Sequence, residues 1–428
     1  MNPENKNSLP ERDLKSVWHP FTSQLNMDAP VAIVRGEGAL LYDEKGNALI
    51  DGIASWWVNL HGHSHPYISK KINEQLQVLE HAIFSGFTHE PAVRLAERLL
   101  KLLPQMNKVF YSDDGSTSVE VALKMAFQFW HNSGIQRRKV IAFENAYHGD
   151  TFGSMSVGAR NVFSQAFDKM LFEVIHIPVP VAGKESESFV AMKSALQDDV
   201  AAFIFEPLVQ GAGGMIMYSA KSLDELIRLA KEKNVITIAD EVMTGFGRTG
   251  KMFATDYCVN KPDIICLSKG ITGGFMPLGV NVCAEKTYSA YLTADKTKTF
   301  FHGHSYTANP LACAAANASL DLFEIENTLE RVNELSIGME VAMKRFEKNP
   351  AIVNARSFGT ILALEIKTPE ATEYLNPLAE RVHSFFIERG IILRPLGNIL
   401  YVLPPYCISK NELEKVMNGV EEFLKTIH

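Results

Sequence analysis

NVITIADEVMTGFGRTG at residues 234–250 and DIICLSK at residues 263–269 decide the reading of this chain. Each opens as an apolar run and ends on charge, the first at Asp240-Glu241 and the second at Lys269-Gly270. Apolar runs without strict alternation read as strands buried on both faces. NKVFYSD (107–113), KVIAFENA (139–146) and VAAFIFEP (200–207) share this texture and alternate with helical stretches. Such alternation predicts an α/β domain with a parallel or mostly parallel sheet and right-handed crossovers. We expect this large domain over residues 60–310.

Outward from it the pattern changes. Residues 31–58 hold short β-type runs broken by glycine, which suggests a small antiparallel sheet. Two helical patterns follow near 66–80 and 92–103, the second with Val93, Ala96, Leu100 and Leu103 on one face. Beyond 310, helices are expected over 310–326 and 328–347, with Leu329, Val332, Leu335, Met339, Met343 and Phe346 as the buried stripe of the latter. Strands at TILALEI and NILYVLPP follow, with a helix near 375–389 between them. A last helix starts on a capping box at Ser409-x-x-Glu412. Residues 311–428 read as a smaller α+β domain, joined by residues 17–59, so that both chain ends build it. The polar residues 1–16 read as a disordered lead.

The 428 residues carry a formal charge of −7. That balance argues against a nucleic-acid coat. No run of about 18 apolar residues suggests a membrane span, and the N-terminus lacks an apolar signal core. Five scattered cysteines form no C-x-x-C pair and point to a reducing, cytoplasmic setting.

Chemistry in open α/β sheets gathers at the carboxyl ends of strands. Asp114-Gly115-Ser116-Thr117 follows VFYSD and opens a helix, which suits a phosphate cradle and equally suits an ordinary helix cap. Asp240 ends an apolar strand and needs a cationic partner, either a protonated pyridine nitrogen or a structural ion pair. Lys269 is either a solvated flank or a partly desolvated amine able to attack an aldehyde. Taken together, the three describe a site for pyridoxal phosphate: phosphate on the helix, ring nitrogen on Asp240, Schiff base on Lys269. His61, His63, His65, His302 and His304 fall in glycine- and serine-rich loops without an H-E-x-x-H motif, so no metal centre is expected. Tyr147, after the strand KVIAFENA, offers a ring to stack on a planar cofactor.

IADEVMTGFGRTG and DIICLSKGITGG, with DDGSTSVEVALKMA (113–126), NAYHGDTFGSMSV (145–157) and HGHSYTANPLACAAA (302–316), resemble the class III, fold-type I pyridoxal-phosphate aminotransferases. The resemblance spans about residues 15–425. It implies that Lys269 carries the cofactor, Asp240 meets the ring nitrogen, Gly115 and Ser116 hold the phosphate, and Tyr147 covers the ring. His304 and Ser305 match a loop that reaches the neighbouring subunit's cofactor, which implies a homodimer with shared sites. Trp56, Gly303 and Arg394 match substrate contacts, with Arg394 on a carboxylate, and Phe21, Tyr147, Arg248 and Tyr401 join that pocket. WHPFT (18–22), SWWVNLHGHSHP (55–66) and ILRPLGNILYVLPPY (392–406) are most similar to the branch that aminates 8-amino-7-oxononanoate in biotin synthesis. Phe21 stands where many members have tyrosine, and Ser305 where threonine is usual. The first change leaves both S-adenosylmethionine and lysine open as amino donor. The rival readings are an ω-amino-acid aminotransferase, an aminomutase and a non-catalytic cofactor binder.

Overall fold

The computed structural model describes residues 7–25, 27–369 and 374–427. In it the five apolar runs become members of one seven-stranded sheet. Lys108–Ser112, Gly279–Cys283, Ile264–Leu267, Ile236–Asp240, Val200–Phe205, Lys139–Phe143 and Val174–Ile177 lie side by side in that order. All pairings are parallel except those of Gly279–Cys283, which runs antiparallel to both neighbours. Two members carry too weak a pattern to stand out in the sequence. Val174–Ile177 is interrupted by His176, and Gly279–Cys283 opens on glycine and has Asn281 at its centre.

Burial on both faces explains the continuous apolar runs. Successive strand side chains point to opposite faces. Ile141, Phe143, Phe203 and Phe205 thus enter one core cluster, while Val140, Ala142, Ala202 and Ile204 enter another. The helix Gly115–Asn132 covers the second face with Val119, Ala122, Leu123 and Ala126. Each such large side chain, fully buried, contributes roughly 1.5–3 kcal/mol.

Strand register gathers the charged ends. Asp240 pairs with Cys266, Leu267 with Val280, and Gly279 with Ser112. The carboxyl ends that lead into Asp114, Asp240 and Lys269 therefore share one edge of the sheet, where an open α/β fold places its ligands.

Both chain ends meet in a smaller sheet. Ile33–Glu37, Leu40–Asp43 and Ala48–Asp51 form an antiparallel meander, and Ala48–Asp51 also pairs in parallel with Ile391–Ile392. A second sheet joins Ile352–Phe358, Ile361–Ile366 and Ile399–Val402. The helix Thr328–Phe346 packs on this second sheet, Pro310–Ile325 lies instead against Pro66–Leu76 and Glu90–Leu102, and Leu378–Ile387 packs on Ile391–Ile392 and on Lys410–Leu424. The last begins on a reciprocal capping box, with the Ser409 amide donating to Glu412 Oε2 (2.7 Å) and the Glu412 amide to Ser409 Oγ (3.2 Å).

Two expectations need correction. Of the lead at 1–16, residues 1–6 lie outside the described residues, but Leu9–Ser16 is a helix. Ser8 and Glu11 cap it reciprocally and Pro10 sits in its first turn, so local signals form a helix that buries none of its side chains. In Glu90–Leu102 the buried face is Ala92, Leu95 and Leu99, not Val93, Ala96 and Leu100. Both registers carry apolar residues, so the pattern was ambiguous. A buried hydrogen bond from the Tyr111 hydroxyl to the Ala92 carbonyl (2.6 Å) accompanies the chosen face.

Candidate active site

The helix Gly115–Asn132 begins directly after the strand Lys108–Ser112. Asp114 Oδ1 accepts from the Thr117 amide (2.9 Å), and Thr117 Oγ1 accepts from the Asp114 amide (3.0 Å). The amides of the first helical turn have no intrahelical partner and, with the helix dipole, favour an anion. A Cβ at Gly115 would come within 2.7 Å of Val242 Cγ1, so the turn needs glycine to pack here. Across from it, the Thr151 amide donates to Ser116 Oγ (3.0 Å), and the two hydroxyls lie 2.8 Å apart. Gly149 permits this approach: its φ is +128°, and a Cβ there would lie 2.2 Å from Ser116 Oγ.

Asp240 is buried, with Oδ2 2.7 Å from His148 Nδ1 and Oδ1 accepting from the Val242 amide (3.0 Å). Burial lowers the imidazole's pKa, but the hydrogen bond and charge of Asp240, helped by Glu206, outweigh it and raise it overall. Glu206 is also buried and takes the amides of Tyr147 (3.1 Å) and Gly211 (2.8 Å). Burial pushes its carboxyl up to about 7.

Lys269 follows the strand Ile264–Leu267 with φ 46°, a left-handed conformation that turns the chain sharply. Its Nζ lies 4.6 Å from the centroid of the Trp57 ring. The cavity reaches this partly buried side chain, yet the packed surroundings lower its ammonium pKa to about 8, against the opposing carboxylates of Asp240 and Glu206. Capture of pyridoxal phosphate by protein stripped of cofactor is therefore expected to accelerate with pH around an inflection near 8. Only the neutral amine attacks an aldehyde, and an ordinary lysine is neutral to only about 0.3% at pH 8. Stopped-flow absorbance measures the profile, and an inflection near that of free lysine would overturn the assignment.

These groups line a cavity of about 550 Å³, within the usual range for small-molecule sites. Of the residues expected here, Gly115, Ser116, Tyr147, Asp240, Lys269, Phe21, Trp56, Arg394 and Tyr401 all line it. The Arg394 guanidinium lies 4.9 Å from the Trp56 ring centroid, and its Nη2 donates to the Tyr374 hydroxyl (3.3 Å). Phe21 packs edge-on against Trp56 (5.5 Å) and Phe163 (5.8 Å). The Tyr401 hydroxyl accepts from Trp57 Nε1 (3.1 Å).

Arg248 does not line the cavity. It is fully buried, donates to the Pro404 carbonyl (2.7 Å) and stacks over Tyr406 at 4.8 Å. The GFGRTG loop folds inward, so an arginine that reads as a ligand binder ties two loops together instead. Gly303, His304 and Ser305 also stand outside the cavity of this chain, with His304 Nδ1 3.3 Å from Asp113 Oδ2. The other histidines have separate hydrogen-bond partners: His61 meets Ser319, His63 meets Asp51 and His65 meets Glu326.

Several lining residues escaped the sequence reading. Glu206 ends the strand VAAFIFEP and was detectable by the reasoning that found Asp240. His148 sits beside Tyr147 in the same block. Phe163 and Tyr374, 4.6 Å apart and far apart in sequence, carry no local signal.

Pyridoxal phosphate fits this donor set. The helix N-terminus with its glycine offers a phosphate cradle, a buried carboxylate can meet the ring nitrogen, and an amine of lowered pKa can meet the aldehyde. Comparison with known proteins agrees. The family model for class III aminotransferases matches residues 22–424. Adenosylmethionine-8-amino-7-oxononanoate aminotransferase of Synechococcus elongatus is 47% identical over 423 residues, covering 96% of this chain and 99% of that protein. The crystal structure of the enzyme of that name from Methanocaldococcus jannaschii superposes with a TM-score of 0.93 at 34% identity, over 98% of this chain and 99% of that one. An amine transaminase from an uncultivated Pseudomonas species, solved with pyridoxal phosphate bound, gives 0.90 at 30% identity, over 96% and 99%. The chain belongs to the class III aminotransferases, and pyridoxal phosphate is its cofactor.

Proposed function

We propose that the protein transfers an amino group from S-adenosylmethionine or lysine to 8-amino-7-oxononanoate, giving 7,8-diaminononanoate for biotin synthesis. The observation that carries this reading is the cavity itself: Lys269, Asp240 and Tyr147 line it together with the Arg394 guanidinium, which lies by Trp56 and Tyr374, with Phe21 packed on Trp56. That pairing suits a long aliphatic keto acid whose carbonyl takes up the amino group beside Lys269 and whose carboxylate meets the arginine. The 47% identity to the Synechococcus enzyme supports the same substrate.

Bound here, pyridoxal phosphate supplies an aldehyde that takes up amines and a protonated ring that accepts the electron pair released at the amine-bearing carbon. Gly115 and Ser116 would hold its phosphate. Asp240 would keep a proton on the ring nitrogen, and His148, 2.7 Å from that carboxylate, steadies it. Tyr147 would cover the ring. Lys269 Nζ would anchor the cofactor through its aldehyde and, once an incoming amine has displaced it there, would be the base that takes the proton from the substrate's amine-bearing carbon. Donor and acceptor use the cavity in turn, with Trp56 and Phe21 forming its apolar sides.

The site is completed in a homodimer. Gly303, His304 and Ser305 lie outside their own cavity, which supports a reach of this loop into the partner's site, with His304 and Ser305 at the phosphate and Gly303 at the substrate. Exposed Ile83, Phe87, Phe301 and Tyr306, four apolar or aromatic side chains in the loops around 81–87 and 300–306, support burial of that loop against a second copy. No helix among the described residues is long and apolar enough to cross a membrane. The free cysteines, four of them buried, support a cytoplasmic location.

Incubating the loaded protein with 8-amino-7-oxononanoate and each donor separately tests the proposal. Diaminononanoate should form with at least one donor, and its absence with both sinks the substrate assignment in favour of an ω-amino-acid aminotransferase. Arg394→Ala is expected to raise KM for the oxononanoate about 10- to 100-fold, the loss of a charge-assisted hydrogen bond. Cofactor loading should stay intact. An unchanged KM removes Arg394 from carboxylate binding.

A further inference from the structure

Asp51 ends the strand Ala48–Asp51 and is fully buried, yet it lines no part of the cavity. Among the described residues its carboxylate accepts hydrogen bonds only from the segment that follows it. Oδ1 takes the Ile53 amide (3.1 Å), and Oδ2 takes the Ser55 amide (2.7 Å), the Ser55 hydroxyl (3.3 Å) and His63 Nε2 (2.9 Å). Between these donors the backbone follows a course that residues with a Cβ avoid. Ala54 has φ 50°, Ser55 φ 60° and Trp57 φ 68°. Three non-glycine residues in the left-handed region within four positions persist only where their surroundings over-determine them.

The course has a consequence at the cavity. Neighbouring side chains diverge by about 100° in a helix and point oppositely in a strand. Trp56 and Trp57 nevertheless both line the same cavity. Trp56 meets Phe21 and the Arg394 guanidinium, while Trp57 lies beneath Lys269 Nζ and donates to Tyr401. The strand that ends in Asp51 also fixes Arg394. Asp51 pairs with Ile392, and the Gly52 amide donates to the Ile392 carbonyl at 3.1 Å, two residues before Arg394.

We infer that Asp51 is a positioning residue for substrate recognition: through Ile53, Ser55 and His63 it locks the 54–57 turn, and so sets Trp56 and Trp57 against Arg394 and Lys269. It acts through the backbone and touches neither substrate nor cofactor. His63 completes the clamp from the far side, its own backbone tied to Gly38 by hydrogen bonds of 2.7 and 3.2 Å. The inference rests on the proposal that Trp56 and Arg394 form the substrate wall.

The test compares loaded wild-type protein with Asp51→Ala, Asp51→Asn, Trp56→Ala and the Asp51→Ala/Trp56→Ala double variant. Amide hydrogen exchange over residues 52–58 should accelerate about tenfold or more in Asp51→Ala, with the main sheet unaffected. KM for 8-amino-7-oxononanoate should rise about tenfold, with a smaller change in kcat. Asp51→Asn should recover part of both, since its amide oxygen still accepts. In KM for the oxononanoate the double variant should be no worse than Trp56→Ala alone to within about twofold, because the clamp reaches the substrate's carboxylate end through Trp56. Unchanged exchange in Asp51→Ala, or single effects that multiply in the double variant, overturns the inference. If Asp51→Ala does not fold, Asp51→Asn and His63→Leu decide: faster exchange with a raised KM supports the clamp, and wild-type behaviour in both refutes it. A wild-type protein inactive on the oxononanoate defeats the substrate proposal, while the exchange comparison still decides whether Asp51 holds the turn.

Discussion

Lys269→Ala is expected to abolish turnover, by at least about a thousandfold, while leaving the protein folded. The loss combines two roles, since one amine both carries the cofactor and moves the proton, and removing a positioned acid–base group alone costs about 10²- to 10⁴-fold. Folding should survive because Lys269 Nζ lies over the Trp57 ring and in the field of two carboxylates, without a place in any secondary-structure ladder. Truncation also removes an amine whose charged form burial already disfavours. The left-handed φ of 46° penalises alanine about as much as lysine, so the exchange adds little strain. Steady-state rates, the visible absorbance of lysine-bound cofactor and thermal unfolding together check this. An alanine variant with full activity refutes the role, and one that fails to fold shows that the side chain also supports the turn.

The parts of the site that the strand pattern itself reveals, Gly115, Asp240 and Lys269, share one physical property: each is a charged residue or a glycine just past the end of an apolar strand. Such a residue interrupts a pattern, as Asp240 and Lys269 do, and parallel sheets bring those interruptions to one edge. Glu206 obeys the same rule. What stayed hidden depends on contacts between distant segments. Tyr374 reaches Arg394, and Phe163 reaches Phe21, through tertiary packing that leaves no local mark. Arg248 shows the converse: a polar motif beside a site can turn inward and serve packing. The fold was legible for similar reasons. Four strands buried on both faces announce themselves, and the edge strand Lys108–Ser112 keeps their texture at partial burial, whereas Gly279–Cys283, the antiparallel member, is marked by glycine and asparagine that suggest a loop. The two-residue strand Ile391–Ile392, which joins the chain ends, is too short for periodicity to register.

Asp240→Asn separates two roles that one carboxylate performs. Asparagine has the same shape, and its amide oxygen can still accept from the Val242 amide now held at 3.0 Å, so the strand end should keep its geometry. It cannot hold a proton on a pyridine nitrogen as an anion does, which removes the electron sink that the reaction needs. We expect kcat to fall about 10³-fold, or about 4 kcal/mol of transition-state stabilisation. The same exchange should act in the opposite direction on Lys269. The Asp240 charge favours the ammonium form and so works against the burial that lowers the lysine's pKa to about 8. Without that charge the pKa should fall further, and the inflection for cofactor capture should move to more acidic pH. At neutral pH the variant should then load pyridoxal phosphate at least as readily as the wild type while turning over far more slowly. A variant with depressed capture at every pH would mean that Asp240 serves mainly to hold the site together, through His148 and Val242. Retained kcat with a shifted inflection would mean that the carboxylate tunes Lys269 without serving the ring.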